Sequence, residues 1–175
     1  MDNQQAPSTL TYTGKTYHFS DPKDEDIDIV DIAHALSLLC RYNGATEDFY
    51  SVAEHSVIVS RLVSPEFAFE GLMHDAAEAY CGDVISPLKR MLADYREVLR
   101  ISEAAVERKF DLAGVPSYGE VTRADVLAYN MERAVLFPRQ FPEYDGPPSI
   151  IRRLPPLQAE KLFLERYVEL TEART

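Results

Sequence analysis

The run GLMHDAAEAYCGD, residues 71 to 83, places His74, Asp75, Glu78 and Asp83 among small and apolar residues. A surface helix tolerates four polar side chains, but its opposite face should then read as an apolar stripe. Here the apolar residues crowd around the acids instead. A helix advances about 100° per residue, so His74 and Glu78 lie one turn apart on one side, with Asp75 about 100° round from His74. The three can face a single point. An imidazole beside a carboxylate at that point makes a pair of metal ligands, too few for a tight site, and further donors must come from other helices.

The search for them is short, because the chain has four histidines, at 18, 34, 55 and 74. His18 falls in a β-hairpin segment and is expected at the surface. His34, in DIAHALS, reads as a core imidazole satisfied by a backbone carbonyl or as a group behind the ligands. His55, in SVAEHSV, sits on a largely apolar helix. Asp125 lies in TRADVLAYNMERAV, beside a stripe of Val121, Ala124, Ala128, Met131 and Val135 that should face the core. A carboxylate flanking such a stripe is costly unless a partner meets it, and a divalent cation would be one.

His55, His74, Asp75 and Asp125 together offer two imidazoles and two carboxylates. That borderline donor set suits Mn²⁺, Fe²⁺, Co²⁺ or Zn²⁺ better than Ca²⁺ and fills four positions of an octahedron. Of the two open positions, one can hold water of lowered pKa and the other a phosphoryl oxygen. Glu78, not needed as a ligand, is placed to carry a proton to or from that water. The expected cofactor is one divalent transition metal.

These side chains need helices to position them, and the chain supplies about six. Ile29, Ile32, Ala33, Leu36 and Cys40 recur at helical spacing, with Asn43-Gly44 as the stop. SVAEHSVIVSRLV is helical until Ser64-Pro65, and FAFEGLMHDAAEAYC until Gly82. PLKRMLADYREVLRISEAAVERKFDLAG fills one long helix or two. YGEVTRADVLAYNMERAVLF runs to Pro138, and PPLQAEKLFLERYVELTEA closes the chain behind an initiating proline. Ahead of them, TLTYTGKTYHF alternates β-formers around Gly14-Lys15 and predicts a hairpin appendage, and the acidic connector SDPKDEDIDIVD reads as a solvated face or cap. The proline-rich PRQFPEYDGPPSIIRRLPP reads as a tightly held loop. The expectation is a single all-α domain over residues 1–175: hairpin and connector to residue 28, core helices over 29–137, and the proline-rich loop and last helix over 138–175.

Composition narrows the function. At 175 residues and 46% hydrophobic content the chain can bury one sizeable core. A net charge of −11 argues against a grip on long nucleic acid or an anionic membrane. A small phosphorylated ligand is compatible with it, because a bound cation reverses the local field. Cys40 and Cys81 form no CxxC pair and read as reduced core thiols. The first residues lack a basic segment followed by an apolar core, and no apolar run reaches membrane-spanning length, so the expected location is the cytoplasm.

The order His55, His74-Asp75, Asp125 on successive helices resembles the HD-domain metal-dependent phosphohydrolases. More narrowly, RYNG, SVAEHS, HDAAEAYCGDVISPLK and RAD are similar to the corresponding segments of bacterial 5′-deoxynucleotidases and phage dATP triphosphohydrolases, over roughly residues 29 to 137. The resemblance implies an HD-domain helical bundle. It implies that Arg41 contacts the substrate phosphate and that Tyr42 stands against the nucleoside, where relatives carry tryptophan. It further implies that Glu78 is catalytic, that Asp83 contacts the deoxyribose and disfavours a ribose 2′-hydroxyl, and that Lys89 reaches phosphate. Ile85-Ser86 stands where many relatives have Pro-Thr, which bears on base preference.

The activity implied is hydrolysis of a 2′-deoxynucleotide by water bound at the metal, releasing deoxynucleoside and phosphate. The alternative is a triphosphohydrolase releasing tripolyphosphate, and a third reading is a metal-binding regulatory module without turnover. Mg²⁺ arriving with the substrate and self-association into a homo-oligomer are further implications of the resemblance.

Overall fold

The protein is described here by a computed structural model, over residues 6–112, 115–141 and 150–174, with no side-chain description at 115–117. The chain opens with strands β1 (Ser8–Leu10) and β2 (Thr16–His18), paired antiparallel with Thr9 opposite Tyr17. Helices follow: α1 (Ile29–Leu38), α2 (Val52–Leu62), α3 (Ala68–Met73), α4 (Glu78–Cys81), α5 (Ser86–Lys89), α6 (Ala93–Phe110), α7 (Val115–Leu136) and α8 (Pro156–Glu172). The architecture is all-α with one small two-stranded sheet. Among the described residues no helix is long and apolar enough to cross a membrane.

The centre of the bundle is α2, which packs against α1, α3, α7 and α8. Every residue from Val52 to Ser60 is buried, including Glu54 and His55. Ser51 starts this helix by accepting the Glu54 N–H at 3.1 Å. Helix α3 lies close against it, so that a Cβ placed on Gly71 would sit 3.0 Å from the Ser60 Cα. Glycine therefore lets the helix carrying His74 lie against the helix carrying His55. The Val121, Ala124 and Ala128 stripe of α7 is buried as its spacing predicts, whereas Met131 and Val135 are half-buried.

Several expectations need correction. The hairpin is no appendage: Tyr17 is wholly buried, stacks on Tyr80 at 3.9 Å and donates to Ser102 Oγ at 2.8 Å. The acidic connector is only partly a solvated face. Asp28 caps α1 through the Val30 N–H, but Asp26 and Asp31 are buried, bonded to His18 and to Thr13. Helix α1 stops at Leu38, five residues before Asn43-Gly44, because Leu39 turns extended and Cys40 bridges to Ser51. Arg41–Gly44 then forms a separate 3₁₀ turn in which Tyr42 (φ 58°), Asn43 (φ 51°) and Gly44 (φ 70°) adopt the left-handed conformation. Cys40 is consequently exposed and not a core thiol, while Cys81 is half-buried. Of the proline-rich loop, residues 142–149 lie outside the described residues. Its end is pinned by Glu54, which accepts the N–H groups of Arg152 (2.5 Å), Arg153 (3.1 Å) and Leu154 (2.7 Å).

Candidate metal centre and substrate cleft

Helices α2, α3 and α7 bring His55, His74 and Asp125 together, with one donor atom of each within 4.8 Å of the others. His55 Nδ1 lies 2.6 Å from Glu132 Oε1, and His74 Nδ1 lies 2.9 Å from the Gly71 carbonyl. Both Nδ1 atoms face acceptors, which favours a ring proton on Nδ1 and turns Nε2 toward the other donors. Those Nε2 atoms face each other at 3.3 Å. Asp125 Oδ1 is 3.1 Å from His55 Nε2, and Asp75 Oδ2 is 3.1 Å from His74 Nε2 and 3.6 Å from His55 Nε2.

Imidazole nitrogens and carboxylates held this close need positive charge among them, which a proton on His74 or a bound cation would supply. Donors held about 2.1 Å from one ion sit roughly 3 to 3.5 Å apart, as His55 does from His74 (3.3 Å) and from Asp125 (3.1 Å). Burial disfavours a charged His74, yet Asp75 and Asp125 push it up to about 9. Burial likewise opposes ionisation of Asp75, but His74, His55 and Arg41 hold its carboxyl far below the usual range. Asp125 is lowered too, its burial outweighed by His55 and His74. His55, His74 and Asp125 form a group that could hold a metal ion, and Asp75 stands beside it against His74.

Between α3 and α4 the winding tightens: Ala76 N–H donates to Met73, Glu78 to Asp75, Ala79 to Ala76 and Tyr80 to Ala77, each three residues back. Three residues per turn eclipse positions i and i+3, so Glu78 lies in line with Asp75, where an unbroken α-helix would set it above His74. Glu78 is buried. Its Oε1 accepts Lys89 Nζ at 2.9 Å, while Oε2 has no hydrogen-bond partner among the described residues. Burial first, then the charges of Asp75 and Asp83, push its carboxyl up to about 8 against the pull of Lys89. A carboxyl so poised exchanges protons near neutrality.

A cleft of about 650 Å³ opens over this centre, lined by Arg41, Tyr42, Asp75, Glu78, Asp83, Lys89 and Asp125 among others. The residues that the resemblance assigns to substrate thus line one cleft with two of the candidate metal donors, Asp75 and Asp125. His55 lies beneath, and His74 faces a second cavity of about 340 Å³ that shares Asp125. Val126, Tyr129 and Phe137 give the cleft an apolar side, and Arg90 a further cation. Burial raises the Asp83 carboxyl, with Asp75 adding to it and Arg41 and Lys89 opposing. His18 and His34 lie apart: the former pairs with Asp26, the latter stacks on Tyr12 and meets the Glu160 carboxylate, not a backbone carbonyl.

The residue that sequence reasoning missed is Glu132, wholly buried on α7. Its Oε1 accepts from Tyr50 (2.9 Å) and His55 (2.6 Å), and its Oε2 from Tyr42 (2.6 Å) and Arg41 Nε (3.2 Å). Burial would raise this carboxyl, but His55, Arg41 and Tyr42 together hold it at about 2. Arg41 does not end a helix, so its charge is not spent on a helix dipole. Its Nη1 reaches to 3.7 Å from Asp75. A signal for Glu132 existed: it stands seven residues after Asp125 and four after Ala128, on the buried face of α7. Glu54 was missed as well, although its place three residues after the capping Ser51 marks it as a helix-start acid.

The fold and site define an all-α protein with a two-histidine, two-carboxylate cluster at the foot of a cleft rimmed by cations. No family model matches the chain. It is 40% identical over 171 residues to the uncharacterized protein YfdR of Escherichia coli, covering 94% of this chain and 96% of that one. It is also 35% identical over 133 residues to an uncharacterized protein of Rhodobacter capsulatus, covering 69% of this chain and 68% of that one. The chain belongs to the YfdR family.

Proposed function

We propose that this protein is an HD-class, metal-dependent phosphohydrolase that removes the 5′-phosphate of 2′-deoxynucleoside monophosphates in the cytoplasm. The observation that carries the reading is the pair of fixed Nε2 atoms, 3.3 Å apart, converging with Asp75 and Asp125 beside the unpartnered Glu78 oxygen. A divalent ion such as Mn²⁺, Fe²⁺, Co²⁺ or Zn²⁺, held by His55, His74, Asp75 and Asp125, would supply Lewis acidity toward a phosphoryl oxygen and toward water.

The chain's own groups do the rest. Arg41 and Lys89 neutralise the non-bridging oxygens of the phosphate. Glu78 Oε2 takes a proton from the attacking water as its oxygen bonds to phosphorus. The bond from phosphorus to the 5′ oxygen breaks, and that oxygen receives the proton held by Glu78 and leaves as the deoxynucleoside, orthophosphate remaining. Asp83 holds the sugar, and Tyr42 with Tyr129 and Phe137 forms the wall against the base. Triphosphate hydrolysis is a second reading, favoured by Arg90, which stands beside Lys89 on the cleft and could carry a longer phosphate tail.

The test is incubation of purified protein with Co²⁺ or Mn²⁺ and each deoxynucleoside mono-, di- and triphosphate. Orthophosphate from the monophosphate is expected, and tripolyphosphate would assign the second reading. Hydrolysis of none of them by protein shown to have bound metal would remove both.

A further inference from the structure

The second cavity, of about 340 Å³, reaches the candidate metal centre between α3, α6 and α7. His74 and Asp125 line it, so the donor group is open on two sides. The two openings differ in sign. The cleft sets Arg41, Lys89 and Arg90 beside its acids, whereas the cavity carries Glu70, Glu103 and Glu107, and among the described residues no lysine or arginine lines it.

Helical spacing places these acids. Glu103 and Glu107 stand one turn apart on α6, and Glu70 stands one turn before His74 on α3. The Tyr118 hydroxyl donates to Glu107 and ties α6 to α7 beside the cavity. Burial pushes the Glu103 carboxyl up against the pull of Lys89, and the charges of Glu107 and Asp75 act in the same direction as burial. The α6 acids and the donor group thus share one negative field, which the apolar walls of Met73, Val106 and Val121 focus. Among the described residues the three glutamates form no donor group of their own, whereas His55, His74 and Asp125 are placed to hold an ion. The glutamates draw a cation inward without retaining it.

We propose that this cavity is the route by which a divalent cation enters and leaves the centre, separate from the cleft by which phosphate arrives. A cation approaching through the cleft meets Arg41, whose Nη1 stands 3.7 Å from Asp75, and Lys89, which is paired with Glu78. A cation approaching between α6 and α7 meets carboxylates until it reaches His74 and Asp125. An anion is steered the other way. Metal therefore exchanges while a nucleotide fills the cleft. The proposal rests on the metal-binding part of the reading above and is independent of the reaction.

Stopped-flow mixing of chelator-treated protein with Co²⁺, followed by the visible absorption of the bound ion, tests the route. Glu103→Gln combined with Glu107→Gln should slow association about tenfold at low ionic strength, and added salt should close the gap. Thr122 and Val126 are exposed, one turn apart on α7, the first on the cavity and the second on the cleft. Thr122→Trp should slow association and dissociation alike, because an obstacle on the path alters both rates and not the affinity, while Val126→Trp should leave both unchanged. The glutamine pair decides alone if Thr122→Trp lowers the affinity itself. Unchanged association in the glutamine pair, or slowing by Val126→Trp and not by Thr122→Trp, would overturn the proposal while the metal site stands. A wild-type chain that takes up no Co²⁺ at equilibrium would overturn it together with the metal-dependent reading.

Discussion

His55 Nδ1 lies 2.6 Å from Glu132 Oε1, and both side chains are wholly buried. One carboxylate thereby serves both halves of the site, Oε1 orienting a metal-side imidazole and Oε2 holding Arg41 and Tyr42 at the cleft. Glutamine is isosteric but can present an oxygen to only one half and must turn its NH₂ toward donors on the other. Glu132→Gln is expected to fold and to lose about 10- to 100-fold in metal affinity or to raise KM comparably. Titration calorimetry with Mn²⁺ and steady-state kinetics read the two halves separately. Glu132→Ala strands the buried Arg41 and should cost about 3 to 5 kcal/mol in urea unfolding.

Gly71 is expected to be intolerant for a reason of packing and not of backbone conformation. An alanine Cβ there would meet the Ser60 backbone, 3.0 Å from Cα and 3.3 Å from N, where α3 lies against α2. Relief requires the helices to part, which moves His74 away from His55. Gly71→Ala should lower stability by about 1 to 3 kcal/mol and weaken metal binding in the same variant. Thermal melts with and without Mn²⁺ measure both effects. A normal melting temperature with normal metal stabilisation would contradict this account of the α2–α3 contact.

The stability of chelator-treated protein should fall as the solution turns alkaline. Glu78, pushed up to about 8 by burial and by Asp75 and Asp83, binds its proton more tightly when folded than unfolded. Its contribution is present below the ordinary carboxylate pKa and is lost as pH rises toward and through 8. Glu132 acts in the opposite sense: held at about 2, it contributes above the ordinary carboxylate range and loses that contribution as pH falls toward 2. Urea unfolding between pH 5 and 9 should show the alkaline loss, of order a few kcal/mol, and Glu78→Gln should flatten it. A slope unchanged in that variant would show that another group sets it.

The cluster of His55, His74 and Asp125 was legible in the sequence because these types are rare in apolar helices, and the three could be named without knowing how the helices pack. Glu132 was not, since in NMERAV it stands beside Arg133 and reads as half of a surface pair. Its burial depends on α7 meeting α2 and the turn at Arg41. The break between α3 and α4 was equally hidden. AAEAYC has high helical propensity, and only the tertiary demand on Asp75 and Glu78 overrides it. The early end of α1 has the same cause: apolar spacing continues to Cys40, but the bridge to Ser51 claims that backbone.

Asp83 supplies the last expectation. Gly82, at φ 80°, ends α4 and turns the chain so that Asp83 lines the cleft with Glu78 and Arg41. A carboxylate there that bonds the sugar of a deoxynucleotide leaves no room for a 2′-hydroxyl, whereas one that serves only to balance Arg41 would be indifferent to it. Asp83→Ala should therefore raise kcat/KM for ribonucleotides relative to deoxynucleotides by about tenfold, with metal affinity retained, because no metal donor is altered. Parallel assays on a matched pair such as AMP and dAMP decide the matter. If both substrates slow equally, Asp83 positions Arg41 and does not select the sugar.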